Sequence, residues 1–298
     1  MATVSSPPLS LSIERPALYV VATPIGNLAD LSYRAVALLD RVDLLLVEDT
    51  RVTQKLLQHY SIANHLVSLH EHNEKRSTEA ILSRILDENL AVALLSDAGT
   101  PLIADPGFRI VKAARDRDVP VFALPGPCAA IAGLSIAGIA SDRFVFEGFL
   151  PPRSAARRTR LAQLVNESRT IIFYEAPHRI LATMTDLCAV MGNDREVSVG
   201  RELTTLHETQ YQGQLAAVAG AMHVDANAAR GEIVIVLAGE KNVDTDPDER
   251  KAVHMVEVLR EHLSGNEAIK VAAQLSGVKR NRLYRLTHAT DNARPPVE

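Results

Sequence analysis

The chain lacks the usual signals for disulfide bonding, secretion and membrane insertion. It has no tryptophan and only two cysteines, Cys128 and Cys188, which are too few for a disulfide framework and do not have zinc-ligand spacing. No apolar run reaches the ~18 residues of a membrane span. Residues 1–16 lack the basic region and apolar core of a signal peptide. These absences favour a soluble protein of a reducing cytoplasm.

The net charge, and the absence of two nucleotide-binding motifs, disfavour further classes of protein. The net charge is −4, so any nucleic-acid role depends on local basic patches. The spacings G-x-G-x-x-G and G-x-x-x-x-G-K are both absent, which disfavours dinucleotide enzymes and P-loop hydrolases. With 298 residues, 47% of them hydrophobic, the chain is long enough for about two domains.

The first half of the chain alternates β-type apolar runs with amphipathic helical stretches. Strand, loop and helix in repetition predict a parallel sheet, with the carboxyl ends of the strands at one edge. Each run ends in a polar or Gly/Pro-rich loop, and ligands bind at that edge in open α/β sheets. We therefore predict a ligand site there. The predicted strands are 18–22, 42–47, 65–69, 91–95 and 119–124.

A second α/β domain is predicted after Gly126. Its strands are predicted at 144–149, 170–174, 197–201 and 232–238, with helices at 155–166 and 180–191 between them. The complete prediction is an α/β protein of two α/β domains with a cleft between them, plus a small helical C-terminal domain. The expected boundaries are a disordered extension at 1–16, α/β domains at 17–125 and 126–240, a linker at 241–250 and helices at 251–298.

The loop after the fourth strand, residues 96–101, is the most informative segment. Asp97 is suited to accept hydrogen bonds from hydroxyls or an amine, and Gly99 allows a ligand to approach the backbone closely. A metal-dependent phosphatase is the alternative, because its aspartate nucleophile also follows a strand. Such an enzyme usually carries a second acid two residues later, where this chain has Gly99. A metal-free pocket is therefore favoured.

Two other polar segments allow both a structural and a functional interpretation. His70 and His72 would point apart at a strand end, so a solvated loop is favoured over a metal site, with substrate contact as the functional alternative. Residues 174–179 follow an apolar strand and open a helix. Capping explains Glu175 and Pro177, but the added aromatic and basic groups leave a functional role open.

Basic residues cluster at two places in this acidic chain. The first cluster has no acid within its short stretch, and the second follows a Gly turn between two predicted helices. A solvated helix face is the structural interpretation, and contact with phosphates is the functional one. The clusters are Arg153, Arg157, Arg158 and Arg160, and then Lys279, Arg280, Arg282 and Arg285.

Taken together, the loop motifs resemble those of one family. They are YVVATPIGNL at 19–28, EDTR at 48–51, HEHNE at 70–74, SDAGTP at 96–101 with DPG at 105–107, PGPCA at 125–129, YEAPHR at 174–179 and RELT at 201–204. In order and spacing they resemble the tetrapyrrole-methylase class of S-adenosylmethionine-dependent methyltransferases. Within it, the chain resembles bacterial small-subunit ribosomal RNA cytidine 2′-O-methyltransferases over about residues 17–290.

This resemblance implies an enzyme that binds S-adenosylmethionine in the cleft, without metal. It also implies a homodimer that acts on small-subunit ribosomal RNA or on the assembled subunit, with no membrane association. The donor-binding residues that it implies are Thr23, Pro24, Gly26, Asp97, Ala98, Gly99, Thr100, Cys128, Ala129, Tyr174, Leu203, Gly231 and Glu232.

A ribose hydroxyl needs a base or a cationic group nearby to become a good nucleophile. Glu175 and His178, with Arg179 as an orienting group, are the catalytic candidates on one side of the cleft. Glu48, Arg51 and His70 are candidates on the side of the sheet edge, and sequence does not choose between the two sides. The RNA-binding candidates are Arg51, His70, Arg153, Arg157, Arg158, Arg160, Lys279, Arg280 and Arg282.

Two other functions share the same resemblance. A tetrapyrrole C-methyltransferase would need an enclosed apolar cavity, which the basic clusters and the 4% aromatic content disfavour. A non-catalytic RNA-binding protein would keep the fold without binding the donor, and the intact Asp97 loop argues against it.

Overall fold

A computed structural model describes residues 12–240 and 247–291. Its contacts divide the chain into two compact units, one up to Gly239 and the other from Glu240. Residues 1–11 of the predicted extension and 241–246 of the predicted linker lie outside the described residues. Residues 14 and 15 are ordered on the first sheet: Glu14 N–H donates to the Tyr19 hydroxyl, and Arg15 pairs with Asp43. These two residues of the predicted extension thus contact the first sheet, and the disorder of the extension stays a prediction.

The first sheet is parallel, as predicted. Its strands are β1 (Ala17–Val21), β2 (Leu44–Val47), β3 (Leu66–Ser68), β4 (Ala91–Leu95) and β5 (Val121–Leu124). They lie in the order β3-β2-β4-β1-β5. β2 and β4 are buried throughout because helices cover both faces of the sheet, which explains their uninterrupted apolar runs.

Helices α1 and α2 pack on one face of this sheet, and α3 and α4 on the other. Their bounds are Tyr33–Leu39, Thr50–His59, Glu71–Asp87 and Phe108–Asp116. The predicted solvated loop at 70–73 is wrong. His70 is the N-cap of α3, and its backbone N–H donates to the side-chain oxygen of Asn73 at 2.9 Å.

The second sheet is mixed. Its strands are β6 (Phe144–Phe149), β7 (Thr170–Glu175), β8 (Glu196–Arg201), β9 (Thr209–Gln214) and β10 (Ile233–Leu237), in the order β6-β7-β10-β8-β9. Only β6 and β7 pair in parallel. β9 was not predicted, because its residues are mostly glutamine, threonine and glycine and lack an apolar run.

Helices α5 (Ala129–Ile136), α6 (Ser154–Leu164), α7 (Ile180–Met191) and α8 (Leu215–Val224) complete the larger unit. The last three share the main core on one face of the second sheet. α5 packs on the other face, where a Cβ at Gly133 would lie 2.7 Å from Val234 Cγ1. Only glycine therefore allows α5 to approach β10 this closely.

The C-terminal unit contains helices α9 (Pro247–Leu259), α10 (Gly265–Ser276) and α11 (Arg280–Asp291). α9 begins at Pro247, inside the predicted linker, because proline suits a first helical turn. α10 begins with a capping box of Ser264 and Glu267 and ends at Gly277 with φ +74°. α10 and α11 are the two predicted helices on either side of the Gly turn, which is at Gly277. No helix within the described residues is long and apolar enough to cross a membrane.

Candidate active site

A cavity of about 330 Å³ lies where loops of the first sheet meet residues of the second. From the first sheet, the loops after β1, β2 and β4 reach it, whereas the loops after β3 and β5 do not. The convergence that the parallel order predicts thus involves three of the five loops. The lining residues are Ile25, Glu48, Asp97, Ala98, Gly99, Thr100, Ile103, Ala104, Asp105, Ala129, Phe149, Tyr174, Gly200, Leu203, Glu232, Ile233 and Val234.

The loops after β1 and β4 hold each other by backbone hydrogen bonds. Thr23 N–H donates to Gly99 O at 2.8 Å, and Gly99 N–H donates to Thr23 O at 3.1 Å. Gly99 has φ +84°, a region that glycine enters at little cost. Thr23 itself is buried behind the cavity, where its hydroxyl donates to Ser96 O at 3.2 Å. Thr23 therefore shapes the Asp97 loop without lining the cavity.

Three carboxylates line the cavity on the side of the first sheet. Asp97 Oδ1 accepts a hydrogen bond from Asp49 N–H at 3.0 Å, while burial raises the pKa of Asp97. Burial and the charge of Asp97 raise the pKa of Glu48. Burial, above all, raises the pKa of Asp105 to about 6, against an opposing hydrogen bond from Ser96. The site thus holds a carboxyl that titrates just below neutral pH.

Tyr174 forms part of the opposite wall. Its hydroxyl oxygen accepts a hydrogen bond from Ala130 N–H at 3.0 Å, and Cys128 Sγ lies 4.0 Å from it. Phe146 and Phe149 meet its ring edge-on, with centroids 5.0 and 5.7 Å away. Burial raises the pKa of Tyr174, so the phenol is neutral at physiological pH. The wall is therefore aromatic and uncharged.

The remaining wall of the cavity contains two chain segments, at Glu202 and Glu232, that are joined by hydrogen bonds. Glu202 N–H donates to Glu232 O at 2.8 Å, and the Glu202 carboxylate accepts from Glu232 N–H at 2.9 Å. A Cβ at Gly231, whose φ is +72°, would lie 2.0 Å from Glu202 Oε1. Glycine at this position is therefore required for the Glu202 carboxylate to reach the backbone N–H of Glu232. This contact positions Leu203 and Glu232 at the cavity.

The predicted donor-binding residues divide into two groups. Those that line the cavity are Asp97, Ala98, Gly99, Thr100, Ala129, Tyr174, Leu203 and Glu232, whereas Thr23, Pro24, Gly26, Cys128 and Gly231 do not. The site prediction omitted Ile25, Ile103, Ala104, Asp105, Phe149, Gly200, Ile233 and Val234. Asp105 had a signal, because it belongs to a quoted loop motif, but the apolar positions of β10 look like ordinary core residues.

The catalytic candidates after β7 do not reach the cavity. Glu175 is only 1% exposed, and its carboxylate accepts hydrogen bonds from Arg179 at 2.9 and 2.5 Å and from Thr183 at 2.6 Å. Arg179 is its ion-pair partner. His178 is exposed and does not line the cavity. The structure therefore does not bring Glu175 and Arg179 to the cavity, because their ion pair and the hydrogen bond from Thr183 hold the start of α7. Their catalytic role stays a prediction. Glu48, from the other set of candidates, does line the cavity.

The basic cluster at 153–160 has acidic partners that are remote in sequence. Arg157 is 2% exposed and pairs with Asp186 at 2.7 Å, so it has no surface for a phosphate. Arg160 pairs with Glu147 at 2.6 Å. The interpretation of an uncompensated cluster is wrong for these two residues, and the RNA contact predicted for Arg157 gains no support from the structure. Arg153 and Arg158 are exposed.

The other RNA-binding candidates are dispersed. Arg51 is exposed in the first turn of α2, where its backbone N–H donates to Asp49 at 2.8 Å. His70 is half-buried, and its Nδ1 has no partner within the described residues. In the C-terminal unit, Lys279 and Arg280 are exposed, and Arg282 pairs with Glu249 at 3.0 Å.

Comparison with known proteins identifies the family. Residues 17–219 match the model of the tetrapyrrole (corrin/porphyrin) methylases. Ribosomal RNA small subunit methyltransferase I of Escherichia coli O157:H7 is 45% identical over 268 residues, which cover 90% of this chain and 93% of that protein. The protein of the same name from Xylella fastidiosa (strain Temecula1) is 46% identical, covering 90% of this chain and 97% of that protein.

The chain belongs to the ribosomal RNA small subunit methyltransferase I family of tetrapyrrole methylases. The predicted resemblance and the prediction of a methyltransferase are thereby confirmed. The crystal structure of a cobalamin biosynthetic enzyme, cobalt precorrin-4 methyltransferase, matches with a TM-score of 0.54 and 16% identity, covering 75% of this chain and 95% of that chain. At that identity the match concerns the fold alone, and it confirms the predicted fold class.

Proposed function

We propose that this protein transfers a methyl group from S-adenosylmethionine to the 2′-hydroxyl of a cytidine in small-subunit ribosomal RNA. The observation that carries the proposal is the identity of 45% to a ribosomal RNA small subunit methyltransferase over 90% of this chain. A transferase that acts on a small tetrapyrrole has no comparable support, since the solved cobalt precorrin-4 methyltransferase shares only 16% identity.

The chemistry of the cavity fits the proposed donor. When bound, S-adenosylmethionine supplies a methyl group on a positively charged sulfur. Glu48, Asp97 and Asp105 give the cavity a negative wall that favours a cation. Leu203, Ile233 and Val234 give an apolar wall suited to a purine ring. The residues proposed to hold the donor are those of the Asp97–Thr100 loop, Ala129, Tyr174, Leu203 and Glu232.

The carboxylates also offer a proton acceptor for the ribose hydroxyl. A general base works best with a pKa near the working pH, and burial raises the pKa of Asp105 to about 6. Asp105 is thus mostly ionised at neutral pH yet still basic enough to assist proton removal. Tyr174 and the apolar wall restrict water around the reacting groups. We assign the base role to Asp105 and a donor-binding role to Asp97, whose Oδ1 is already held by the Asp49 N–H.

The proposal also includes the RNA substrate, the oligomeric state of the protein and the roles of its domains. The substrate is ribosomal RNA, free or in the assembled small subunit, and the protein works as a homodimer in the cytoplasm. The two sheets correspond to α/β domains at 17–125 and 126–240. The C-terminal helices α9, α10 and α11 add RNA contacts through Arg280, the first residue of α11, and through Lys279 just before it, both of which are exposed.

Mass-spectrometric mapping of ribosomal RNA from cells that lack the protein tests the proposal. One ribose methyl group on a small-subunit cytidine should be missing and should return with the wild-type gene. Purified protein and S-adenosylmethionine should also methylate small subunits isolated from the deletion cells. An unchanged methylation map would contradict the proposed function.

A further inference from the structure

A second cavity, of about 480 Å³, lies beside the wall formed by Glu202 and Glu232. Arg201, at the end of β8, lines it together with Arg230 and Asn227. Arg201 is only 7% exposed, and its Nη2 donates to His207 O at 2.9 Å and to Thr209 Oγ1 at 2.8 Å. Its Nε has no partner within the described residues. Burying a guanidinium N–H group without an acceptor lowers the stability of the folded protein.

Two carboxylates, of Glu202 and Glu208, also line this cavity, and each accepts a hydrogen bond from a backbone N–H group. The Glu202 carboxylate accepts from Glu232 N–H at 2.9 Å, and Glu208 accepts from Thr204 N–H at 2.6 Å. The hydrogen-bond donors among the residues that line this cavity are the guanidinium groups of Arg201 and Arg230 and the Asn227 amide. Arg230 is exposed and forms no ion pair with the described residues.

The two cavities share their walls. Glu202 and Gly231 line the second cavity, and the next residues along the chain, Leu203 and Glu232, line the first. A nucleotide whose ribose reaches the first cavity has phosphodiesters directly attached on either side of that ribose. Arginine is the side chain best suited to a phosphate, because its planar fork offers parallel N–H groups.

We propose that the second cavity binds a phosphodiester of the RNA strand next to the ribose that is methylated, with Arg201 and Arg230 as its ligands. This inference rests on the proposed function and adds the contact that orients the substrate. Arg201 is the preorganised group, since its Nη2 is fixed by the His207 carbonyl and the Thr209 hydroxyl. Arg230 closes on the phosphate from the exposed side.

Arg230→Ala is the principal test because this exposed residue can be removed without disturbing the core. We expect the KM for unmethylated small ribosomal subunits to rise about five- to tenfold, and the slope of log affinity against log salt to fall by about 1. The affinity for S-adenosylmethionine, measured by calorimetry, should not change. Arg84→Ala is the matched control. It removes one charge from the last turn of α3, at the opposite end of that helix from the polar loops. It should change neither the KM for the subunits nor the salt slope.

Arg201→Lys provides a second test that keeps the buried charge but removes the guanidinium fork. We expect its KM for the subunits to rise, and its melting temperature to fall modestly because the hydrogen bonds from Nη2 to His207 O and Thr209 Oγ1 are lost. If the wild type methylates subunits but both variants keep its KM and salt slope, the phosphate site is refuted. A variant that instead dissociates the protein in light scattering, with KM unchanged, would make this surface a contact between copies and would also refute it. If the wild type itself fails to methylate subunits, it is the proposed function that fails.

Discussion

The hydroxyl oxygen of Tyr174, on β7, accepts a hydrogen bond from the backbone N–H of Ala130, at the start of α5, at 3.0 Å. The first turn of a helix has N–H groups without partners inside the helix, and this contact satisfies one of them. Because Tyr174 and Ala129 both line the cavity, the same bond fixes two of its walls relative to each other.

Replacing Tyr174 with phenylalanine removes that acceptor while keeping the ring. We expect the free energy of unfolding to fall by about 1–3 kcal/mol, because a buried N–H loses its partner. Donor affinity should fall as well, since α5 is no longer held at the cavity. Thermal unfolding and calorimetry with S-adenosylmethionine measure the two effects. Tyr211→Phe is a control for loss of a tyrosine hydroxyl outside the cavity, where the partner is Asp225.

Replacing Asp97 with alanine should weaken binding of S-adenosylmethionine by roughly tenfold or more, because it removes a charge-assisted acceptor from the cavity. Titration calorimetry gives the dissociation constant directly. Asp116→Ala removes a carboxylate whose partner, Lys112, is on the surface of α4, and it should leave the donor affinity unchanged. Equal donor affinities for wild type and Asp97→Ala would remove Asp97 from the binding site.

The methyl-transfer rate should rise with pH around a midpoint near 6, where Asp105 loses its proton. Asp105→Asn should lose this acidic limb together with most of the activity, while still binding the donor. The measurement is the single-turnover rate between pH 5 and 8, in steps of about half a unit. If the limb persists in Asp105→Asn, another group is responsible for it.

The same carboxyl should affect stability in a pH-dependent way. Its pKa is raised from 3.8 to about 6 by folding, so between these values the folded state binds more protons than the unfolded state. The stability that this group contributes is therefore present at low pH and is lost as pH rises through about 6. We expect Asp105→Asn to melt at a higher temperature than the wild type at pH 7.5, and the difference to shrink at pH 4. Melting curves at the two pH values test this, and a difference that grows on acidification would contradict it.

Arg157 and Arg158 are adjacent in sequence, but their replacement by alanine should affect the free energy of unfolding very differently. Arg157→Ala leaves Asp186 as a buried unpaired charge, so the free energy of unfolding should fall by about 3–5 kcal/mol. Arg158→Ala changes an exposed side chain, so its stability should stay within about 0.5 kcal/mol of the wild type. Chemical denaturation of both variants makes the comparison. Similar unfolding energies would mean that the buried ion pair contributes little to the fold.

The sequence alone determined the alternation of strands and helices, and with it the parallel first sheet. Buried apolar runs such as 91–95 carry that information locally, because their length and the Gly/Pro residues after them distinguish strand from loop. The Asp97 loop and its Gly99 were predicted for the same reason. The quoted loop motifs, taken together, were also sufficient to indicate the family.

The tertiary structure decided which polar residues act together. Arg157 meets Asp186 and Arg160 meets Glu147 only after distant helices and strands pack, so a local count of charges misjudged both arginines. Glu175 was chosen from its position at the end of a predicted strand, but in the folded protein it is buried and its carboxylate binds Thr183 and Arg179 instead of lining the cavity. Asp105 gained its raised pKa from burial, a property of the folded environment rather than of the residues beside it in the chain.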